Sequence, residues 1–342
     1  MYYQLFNDTK KYNFSNINII ENLNNKSNIK ALNFYSNPLL TTLPKLPSNL
    51  KILYCPNNQL TELPELPSTL EILYCNNNKL TELPELPNNL KYLYCHNNKL
   101  TELPQLPHSL KYFRCSYNKL TELPQLPNNL IHLICPYNIL TQLPQLPINL
   151  EKLYCYKNQL TQLPQLPDNL THLICPCNKL TELPQLTDSL KKLHCNHNKL
   201  TQLPKLPDNL KILYCDRNQL TQLPQLPCNL NGLYCSYNKL RQLPQLPDNL
   251  KILYCKHNQL TQLPKLPSNL KLIKCYNNSK NLYKYIINCK SLFKYKKYKT
   301  YKYINTLTDL LNYKIENYYY FRIIKHYYKV LKYYDKYYKL LL

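Results

Sequence analysis

Apolar and polar positions in this chain repeat at one constant interval, without a gap, from Lys51 to Leu270, and a partial copy begins at Lys271. One unit reads Leu50-x-x-Leu53-x-Cys55-x-x-Asn58-x-Leu60 and continues as Thr61-Glu62-Leu63-Pro64-Glu65-Leu66-Pro67. Each unit carries one periodic cysteine, and an asparagine follows it three positions later; the cysteines are Cys55, Cys75, Cys95, Cys115, Cys135, Cys155, Cys175, Cys195, Cys215, Cys235, Cys255 and Cys275. Such a strict period predicts a solenoid, in which each unit stacks on its neighbours.

The first half of each unit predicts a short β-strand. Leu53 and Cys55 alternate with Ile52, Tyr54 and Pro56, which is the period-2 pattern of a strand with one buried face and one exposed face. We therefore expect twelve parallel strands, one per unit. A divergent unit precedes them, with Phe34 at the cysteine position and one residue inserted before Thr41.

The second half of each unit predicts an extended return arm. Asn58 ends the strand, and its amide can donate and accept hydrogen bonds to the backbone of adjacent turns. Leu60, Leu63 and Leu66 supply core side chains. Pro64 and Pro67 fix φ and lack backbone donors, so the arm cannot be helical and is expected close to polyproline II.

The repeated Leu-Pro-x-Leu-Pro unit resembles the bacterial LPX class of leucine-rich repeats, as in the YopM and IpaH effectors, over roughly residues 30–278. The resemblance implies an α/β-type, mainly β solenoid: a horseshoe with a parallel concave sheet, convex extended arms, and a protein-binding role inside a host cell. The high Asn, Lys, Tyr and Ile content also resembles leucine-rich-repeat proteins of giant viruses of the mimivirus group. This second resemblance is compositional.

The composition argues against an enzyme. Gly232 is the only glycine, whereas phosphate-binding loops of the P-loop and dinucleotide types need several residues without Cβ. IpaH effectors add a ligase domain with a catalytic Cys-x-Asp motif, but this chain has no such motif, and Cys289 is followed by Lys290 and Ser291. We expect neither catalysis nor a cofactor.

The 15 cysteines suggest packing in a reducing compartment. The segment from Met1 to Ile20 contains no apolar signal-peptide run, and no transmembrane segment is evident, which favours the cytoplasm of a host cell if the protein is viral or an effector. Cys177 and Cys228 break the period and are expected at the surface or in a turn. Cys175, Cys177, His194 and His197 are the nearest to a metal-ligand cluster, but they lack Cys-x-x-Cys spacing, so no metal is expected.

Variable outward positions of the strands are the candidate binding residues. The position between Leu and Cys is rich in Tyr, Arg and His, which interface hot spots favour. An alternative is that tyrosine is simply a good strand former in an AT-rich gene. Lysines, Arg114 and some histidines give this face positive charge, predicting a neutral to acidic protein partner. The candidate residues are Tyr54, Tyr74, Tyr94, Arg114, Tyr154, His194, Tyr214, Tyr234 and Tyr254.

Charge and proline content divide the chain into three segments: an N-terminal segment or cap (1–28), the solenoid (29–278) and a basic Lys/Tyr-rich tail (279–342). The whole chain has a formal charge of +24, and residues 271–342 hold 17 basic and three acidic residues. Beyond Thr306 no Pro or Gly interrupts a predicted helix.

The tail has three competing interpretations. It could cap the solenoid, bind nucleic acid without sequence specificity, or bind an anionic membrane surface. Basic residues spaced by three or four would form one stripe on the predicted helix. The candidate tail residues are Lys296, Lys299, Lys302, Arg322, Lys325, Lys329, Lys332, Lys336 and Lys339.

Overall fold

Short parallel strands stack one per repeat unit in a single sheet. A computed structural model describes residues 29–279 and 282. The strands, β1 to β13 in chain order, are Ala31–Asn33, Ile52–Tyr54, Ile72–Tyr74, Tyr92–Tyr94, Tyr112–Arg114, His132–Ile134, Lys152–Tyr154, His172–Ile174, Lys192–His194, Ile212–Tyr214, Gly232–Tyr234, Ile252–Tyr254 and Leu272–Lys274. The parallel solenoid is thus confirmed, and the divergent unit contributes a thirteenth strand.

Strand order follows chain order, and each strand pairs in parallel with the next. From β2 onward each residue pairs with the equivalent residue of the next unit, as Leu53 does with Leu73. Between β1 and β2 Leu32 pairs with Leu53, so the interval there is longer by the one inserted residue. The insertion lies between these strands, so it lengthens a loop and leaves the strand register intact.

The core is a column of identical layers. In β2 the middle side chain, Leu53, is fully buried, as are Cys55 and Leu60. Leu63 and Leu66 of the return arm close the same layer with 8% and 7% exposure. Burying a leucine side chain contributes about 1.5–3 kcal/mol, and the repetition of this layer accounts for the fixed residue types at these positions.

An asparagine column joins successive turns, as its sequence position predicts. The Nδ2 of Asn138 donates to the carbonyl oxygens of Cys115 at 3.0 Å and Cys135 at 3.1 Å. Its Oδ1 accepts a hydrogen bond from the backbone nitrogen of Leu120 at 3.1 Å. Equivalent bonds recur along the solenoid to Asn278. One side chain per unit therefore satisfies backbone groups of two neighbouring units.

A left-handed residue precedes each of these asparagines, and none is glycine. The φ angles lie between 51° and 59°, a region that costs an L-residue roughly 1–2 kcal/mol. We call the members from Asn57 onward the turn column. The left-handed residues are Ser36, Asn57, Asn77, Asn97, Tyr117, Tyr137, Lys157, Cys177, His197, Arg217, Tyr237, His257 and Asn277.

The return arms contain no helix anywhere in residues 29–279. A tight turn leads from each arm to the next strand, as where the nitrogen of Leu50 donates to the oxygen of Pro47 at 3.1 Å. Polyproline-II geometry of the arms stays a prediction. The predicted helical tail and the N-terminal segment 1–28 lie outside the described residues.

Candidate protein-interaction face

The first and third side chains of strands β2 to β13 form a surface that we call the outer sheet face. Each middle side chain points into the core and is buried in β2 to β12. All nine candidate residues occupy the third strand position and are half-buried. Parallel register places each beside its counterpart in the next unit, as Tyr54 lies beside Tyr74.

An N-terminal aromatic stack covers β2 to β4. The ring centroids of Tyr54 and Tyr74 are 5.1 Å apart, and those of Tyr74 and Tyr94 are 4.3 Å apart with only 3° between their planes. Arg114 follows Tyr94 in the strand pairing. The stack therefore ends at a guanidinium group, whose planar fork suits recognition of a carboxylate.

A second stack covers β9 to β12. His194 lies 4.3 Å from Tyr214, and Tyr214 lies 3.9 Å from Tyr234 in nearly parallel planes. Tyr254 meets Tyr234 edge-on at 5.0 Å, and the ammonium of Lys274 lies 4.7 Å from the Tyr254 ring centroid. This stack also ends at a cation, which the π-face of Tyr254 attracts.

The two stacks are separated along the third strand position, while at the first position the rings of Tyr92, Tyr112 and His132 contact one another across β4 to β6, with centroids 4.9 and 4.7 Å apart. Tyr154 lies between the two stacks and pairs with Ile134 on one side and Ile174 on the other. The structure thus groups Tyr54, Tyr74 and Tyr94 at one end and leaves Tyr154 among aliphatic neighbours. His194, Tyr214, Tyr234 and Tyr254 form the other group.

The single glycine lies beneath the second stack. Gly232 begins β11, and a Cβ at this position would be 3.2 Å from Cε2 of Tyr234. Its φ is not left-handed, so close approach, and not backbone conformation, is the reason for glycine. A Cβ here would therefore require the Tyr234 ring to shift by a few tenths of an ångström.

Histidines on this face add no positive charge at neutral pH. Burial and neighbouring lysines lower the pKa of His132, His172 and His194 from 6.5 to about 4. For His132 and His194, Lys152 and Lys192 respectively are the main charges that oppose protonation. The sequence-based expectation that histidines contribute to a positive face is therefore wrong, and the formal positive charge of this face comes from Arg114 and the lysines.

Asp216 is enclosed beside the second stack. Burial raises the pKa of its carboxyl to about 6, although the carboxylate accepts a hydrogen bond from the Ser236 nitrogen at 2.9 Å. The same burial, and a hydrogen bond with Tyr234, raise the pKa of Tyr214. Asp216 thus stabilises the neighbouring turn through the hydrogen bond from the Ser236 nitrogen.

The turn column forms a second ordered surface that the sequence reasoning missed. Tyr117 and Tyr137 stack at 4.1 Å, and Tyr237 stacks on His257 at 4.2 Å. Toward the N-terminus, Asn77 donates from Nδ2 to Oδ1 of Asn57 at 2.6 Å. The sequence does contain one signal for this surface: the residue immediately before the asparagine of each unit varies from unit to unit.

Cysteine positions agree with their periodicity. The periodic thiols are buried, Cys275 being half-buried, whereas Cys177 is half-buried and Cys228 is exposed. Within residues 29–279 and 282, no three His, Cys, Asp or Glu side chains are grouped as metal ligands. In the same part of the chain no helix is long and apolar enough to cross a membrane. All nine candidate tail residues, from Lys296 to Lys339, lie outside the described residues.

Comparison with known proteins supports the repeat type. The family described as "Leucine Rich repeats (2 copies)" matches residues 48–88 and 68–108. No curated protein matches this chain. The structure of YopM from Yersinia enterocolitica is similar, with 41% identity and a TM-score of 0.69 over 69% of this chain and 53% of YopM. The match thus spans about half the length of that YopM chain.

Two further bacterial structures share the fold. A leucine-rich-repeat protein of Leptospira interrogans is 27% identical, with a TM-score of 0.56 over 77% of this chain and 82% of its own. The functional domain of InlJ from Listeria monocytogenes, which includes a cysteine ladder, is 26% identical, with a TM-score of 0.56 over 68% of this chain and 59% of its own. This chain carries a column of buried cysteines, one per unit from β2 to β12.

Proposed function

Because this chain is a leucine-rich-repeat protein, we propose that it is a non-enzymatic scaffold that binds a protein partner on the outer sheet face. The observation that carries the proposal is the pair of tyrosine stacks, each ending at a cation. Stacked rings are rigid, so they lose little side-chain entropy on binding. Tyrosine and arginine are also the residue types that dominate interface energetics.

The stacks present ring edges and hydroxyl groups to a partner. In the pair formed by Tyr214 and Tyr234, the planes differ by 6° and the centroids are 3.9 Å apart, so one face of each ring is covered. Ring edges carry partial positive charge, and phenol hydroxyls donate hydrogen bonds. Together with Arg114 and the lysines, these groups favour a neutral to acidic partner surface.

The proposal is tested by changing Tyr154, His194 and Tyr214 together to alanine. The matched control changes Gln145, Gln185 and Gln225, which are exposed on the return arms, to alanine. Capture of a specific host protein from nuclease-treated lysate should fall at least tenfold for the first variant and stay unchanged for the control. Equal capture by the two variants, with matching thermal unfolding curves, would reject the outer sheet face as the binding surface.

We place this scaffold in the cytoplasm of a host cell, acting as a bacterial or viral effector. The support is the similarity to YopM and the set of buried free thiols, which suits a reducing compartment. Immunoblotting of fractionated infected cells measures this directly. Recovery of the protein outside the host cytosol would contradict the assignment.

A second candidate function rests on the charge of the C-terminal segment. Its 17 basic and three acidic residues in 271–342 favour binding to nucleic acid or to an anionic membrane surface. Lysine contacts to phosphate weaken steeply with salt. Binding of a DNA oligonucleotide by the full chain should therefore fall at least tenfold from about 50 to about 200 mM salt. Deleting the tail, residues 279–342, should abolish it, while partner capture on the outer sheet face is retained.

A further inference from the structure

The charged residues of the outer sheet face and the turn column are almost entirely positive. In every unit from β2 to β13 we consider the segment from the first strand residue to the turn-column residue, both included. All twelve segments together contain a single acidic residue, the enclosed Asp216. The same positions hold seven Lys or Arg residues: Arg114, Lys152, Lys157, Lys192, Arg217, Lys256 and Lys274. By contrast, exposed carboxylates such as Glu62, Glu82 and Glu102 lie on the return arms. The two sides thus carry different charge.

Two of these cations converge on one tyrosine ring. The guanidinium carbon of Arg217 lies 4.2 Å from the centroid of Tyr237, and the ammonium of Lys256 lies 4.9 Å from it. Lys256 also donates to the Tyr237 hydroxyl at 3.2 Å and lies 5.1 Å from the Tyr276 centroid. On the turn column, Tyr237 stacks against His257 at 4.2 Å. We call Arg217, Tyr237 and Lys256 the cation–tyrosine cluster.

Neither cation of the cluster forms an ion pair within residues 29–279. The ion pairs in this part of the chain join Glu71 to Lys51 and Lys91, at the other end of the solenoid. Asp216 is the charged group nearest in sequence; Lys256 lowers its pKa, but it is enclosed and bonded to the Ser236 nitrogen. Two cations held near one ring repel each other, and an anion placed between them would remove that repulsion.

The ligand that suits this arrangement is a carboxylate-bearing protein segment. Base stacking needs free ring faces, but the faces of Tyr237 are occupied by Arg217 and His257. Arg217 is exposed and Lys256 half-buried, so both remain accessible to a side chain that approaches the turn. Charge-assisted hydrogen bonds from two cations are the strong kind, which makes the cluster an anchor for Glu or Asp.

We propose that the cation–tyrosine cluster is the anchor subsite for an acidic segment of the protein partner on this side of the solenoid. The proposal rests on the proposed function and names the chemistry of its ligand. Arg217 and Lys256 bind a carboxylate of the segment. Tyr237 is a positioning residue, because its ring holds both cations in place.

The test uses the full-length chain and a fluorescent decapeptide of alternating Glu and Gly, at physiological salt. The variant Arg217→Gln/Lys256→Gln removes both cations. Its matched control, Lys205→Gln/Lys265→Gln, removes the same charge from exposed positions on the return arms. Affinity should fall at least tenfold for the first and less than twofold for the second, since each charge-assisted hydrogen bond is a large share of the binding energy.

A third variant separates positioning from bulk charge. Tyr237→Leu keeps both cations and removes the ring that orders them, so affinity should fall severalfold. Unchanged affinity in this variant, or equal losses in the two charge variants, would overturn the subsite. Thermal unfolding midpoints within a few degrees of wild type establish that each variant is folded. The basic tail is identical in all of them, so it cannot account for a difference between the variants.

Two further outcomes distinguish this inference from the proposed function. If Tyr154→Ala/His194→Ala/Tyr214→Ala abolishes peptide binding while Arg217→Gln/Lys256→Gln does not, the subsite is wrong and the outer sheet face stands. If a single-stranded oligonucleotide displaces the peptide at far lower concentration than unlabelled peptide does, the ligand class is wrong. The lysate experiment with the outer-sheet-face variant decides the proposed function independently.

Discussion

At the scale of single residues, the turn column shows how a backbone requirement and a surface role share one position. Each unit places a left-handed residue here, and the sequence fills it with Asn, Tyr, Lys, Cys, His or Arg. Glycine would avoid the steric cost, but it would remove the side chains that stack along the column. Retention of larger residues is consistent with a use for that surface.

Cys177 allows the steric cost to be measured, because its side chain carries no ring and its φ is 57°. Changing Cys177 to valine should destabilise the solenoid by about 1–2 kcal/mol, since a β-branched side chain is strained in this region. Changing it to glycine should be neutral or stabilising by up to about 1 kcal/mol. Urea unfolding followed by circular dichroism gives both values. Equal midpoints for the two variants would show that the turn tolerates any residue.

The histidines predict how stability depends on pH. The pKa values of His132, His172, His194 and His197 are about 4 in the fold and about 6.5 when unfolded. The unfolded chain therefore binds more protons between these values, so stability is present above pH 6.5 and is lost as the pH falls toward 4. Asp216 opposes this trend, because its pKa is raised to about 6.

Thermal unfolding at pH 7 and pH 5 checks the sign. We expect a lower midpoint at pH 5. His194→Gln should reduce the difference in the free energy of unfolding between pH 7 and pH 5 by at most about 2 kcal/mol, and Asp216→Asn should enlarge that difference. A midpoint that rises on acidification, with His194→Gln behaving as wild type, would contradict neutral enclosed histidines.

At the scale of elements, three-residue strands are too short to be stable alone, so the asparagine column supplies an essential part of the turn. Asn138 makes its bonds to two units, and it is 7% exposed. The column acts between neighbours. Losing one member therefore disrupts two turns at once.

Asn138→Asp tests this, since it keeps the shape but replaces a donor with a charged acceptor facing two carbonyl oxygens. We expect destabilisation of about 2–4 kcal/mol, from a buried charge and lost donors. Asn129→Asp is the control, because Asn129 is exposed and its Nδ2 donates to a single carbonyl oxygen, that of His108, at 2.9 Å. Similar urea midpoints for the two variants would contradict the role of the column.

Strand positions and the asparagine role could be predicted because period and residue type fix them. Leu53 recurs where every layer needs a buried side chain, and Asn58 recurs where every turn needs an amide. The left-handed position could not be predicted, since Cys177 and Tyr137 share no conformational signature. Nor could the geometry of the ring stacks, because sequence columns give register but not the distance or angle between rings. The low pKa values of the histidines depend on burial by side chains from neighbouring units.

At the scale of the whole molecule, the enclosed thiols report on opening of the solenoid. Burial raises the pKa of Cys135 to about 12, so the reactive thiolate is scarce as well as inaccessible. Iodoacetamide at pH 8 should modify Cys228 within minutes and leave Cys135 unmodified until denaturant is added. Peptide mass mapping measures both sites. Modification of Cys135 at the rate of Cys228 in the native protein would show that the layers open readily.

The constant interval between paired strand positions from β2 onward also bears on how such a gene can change. Recombination between two misaligned repeats inserts or deletes whole turns, and every strand, asparagine and interior leucine still meets an equivalent neighbour. The number of turns in the solenoid can therefore vary among descendants while each unit keeps the same fold and the same contacts with its neighbours. Binding specificity would then diverge through the shuffling of outward residues, while the interior stays under uniform constraint.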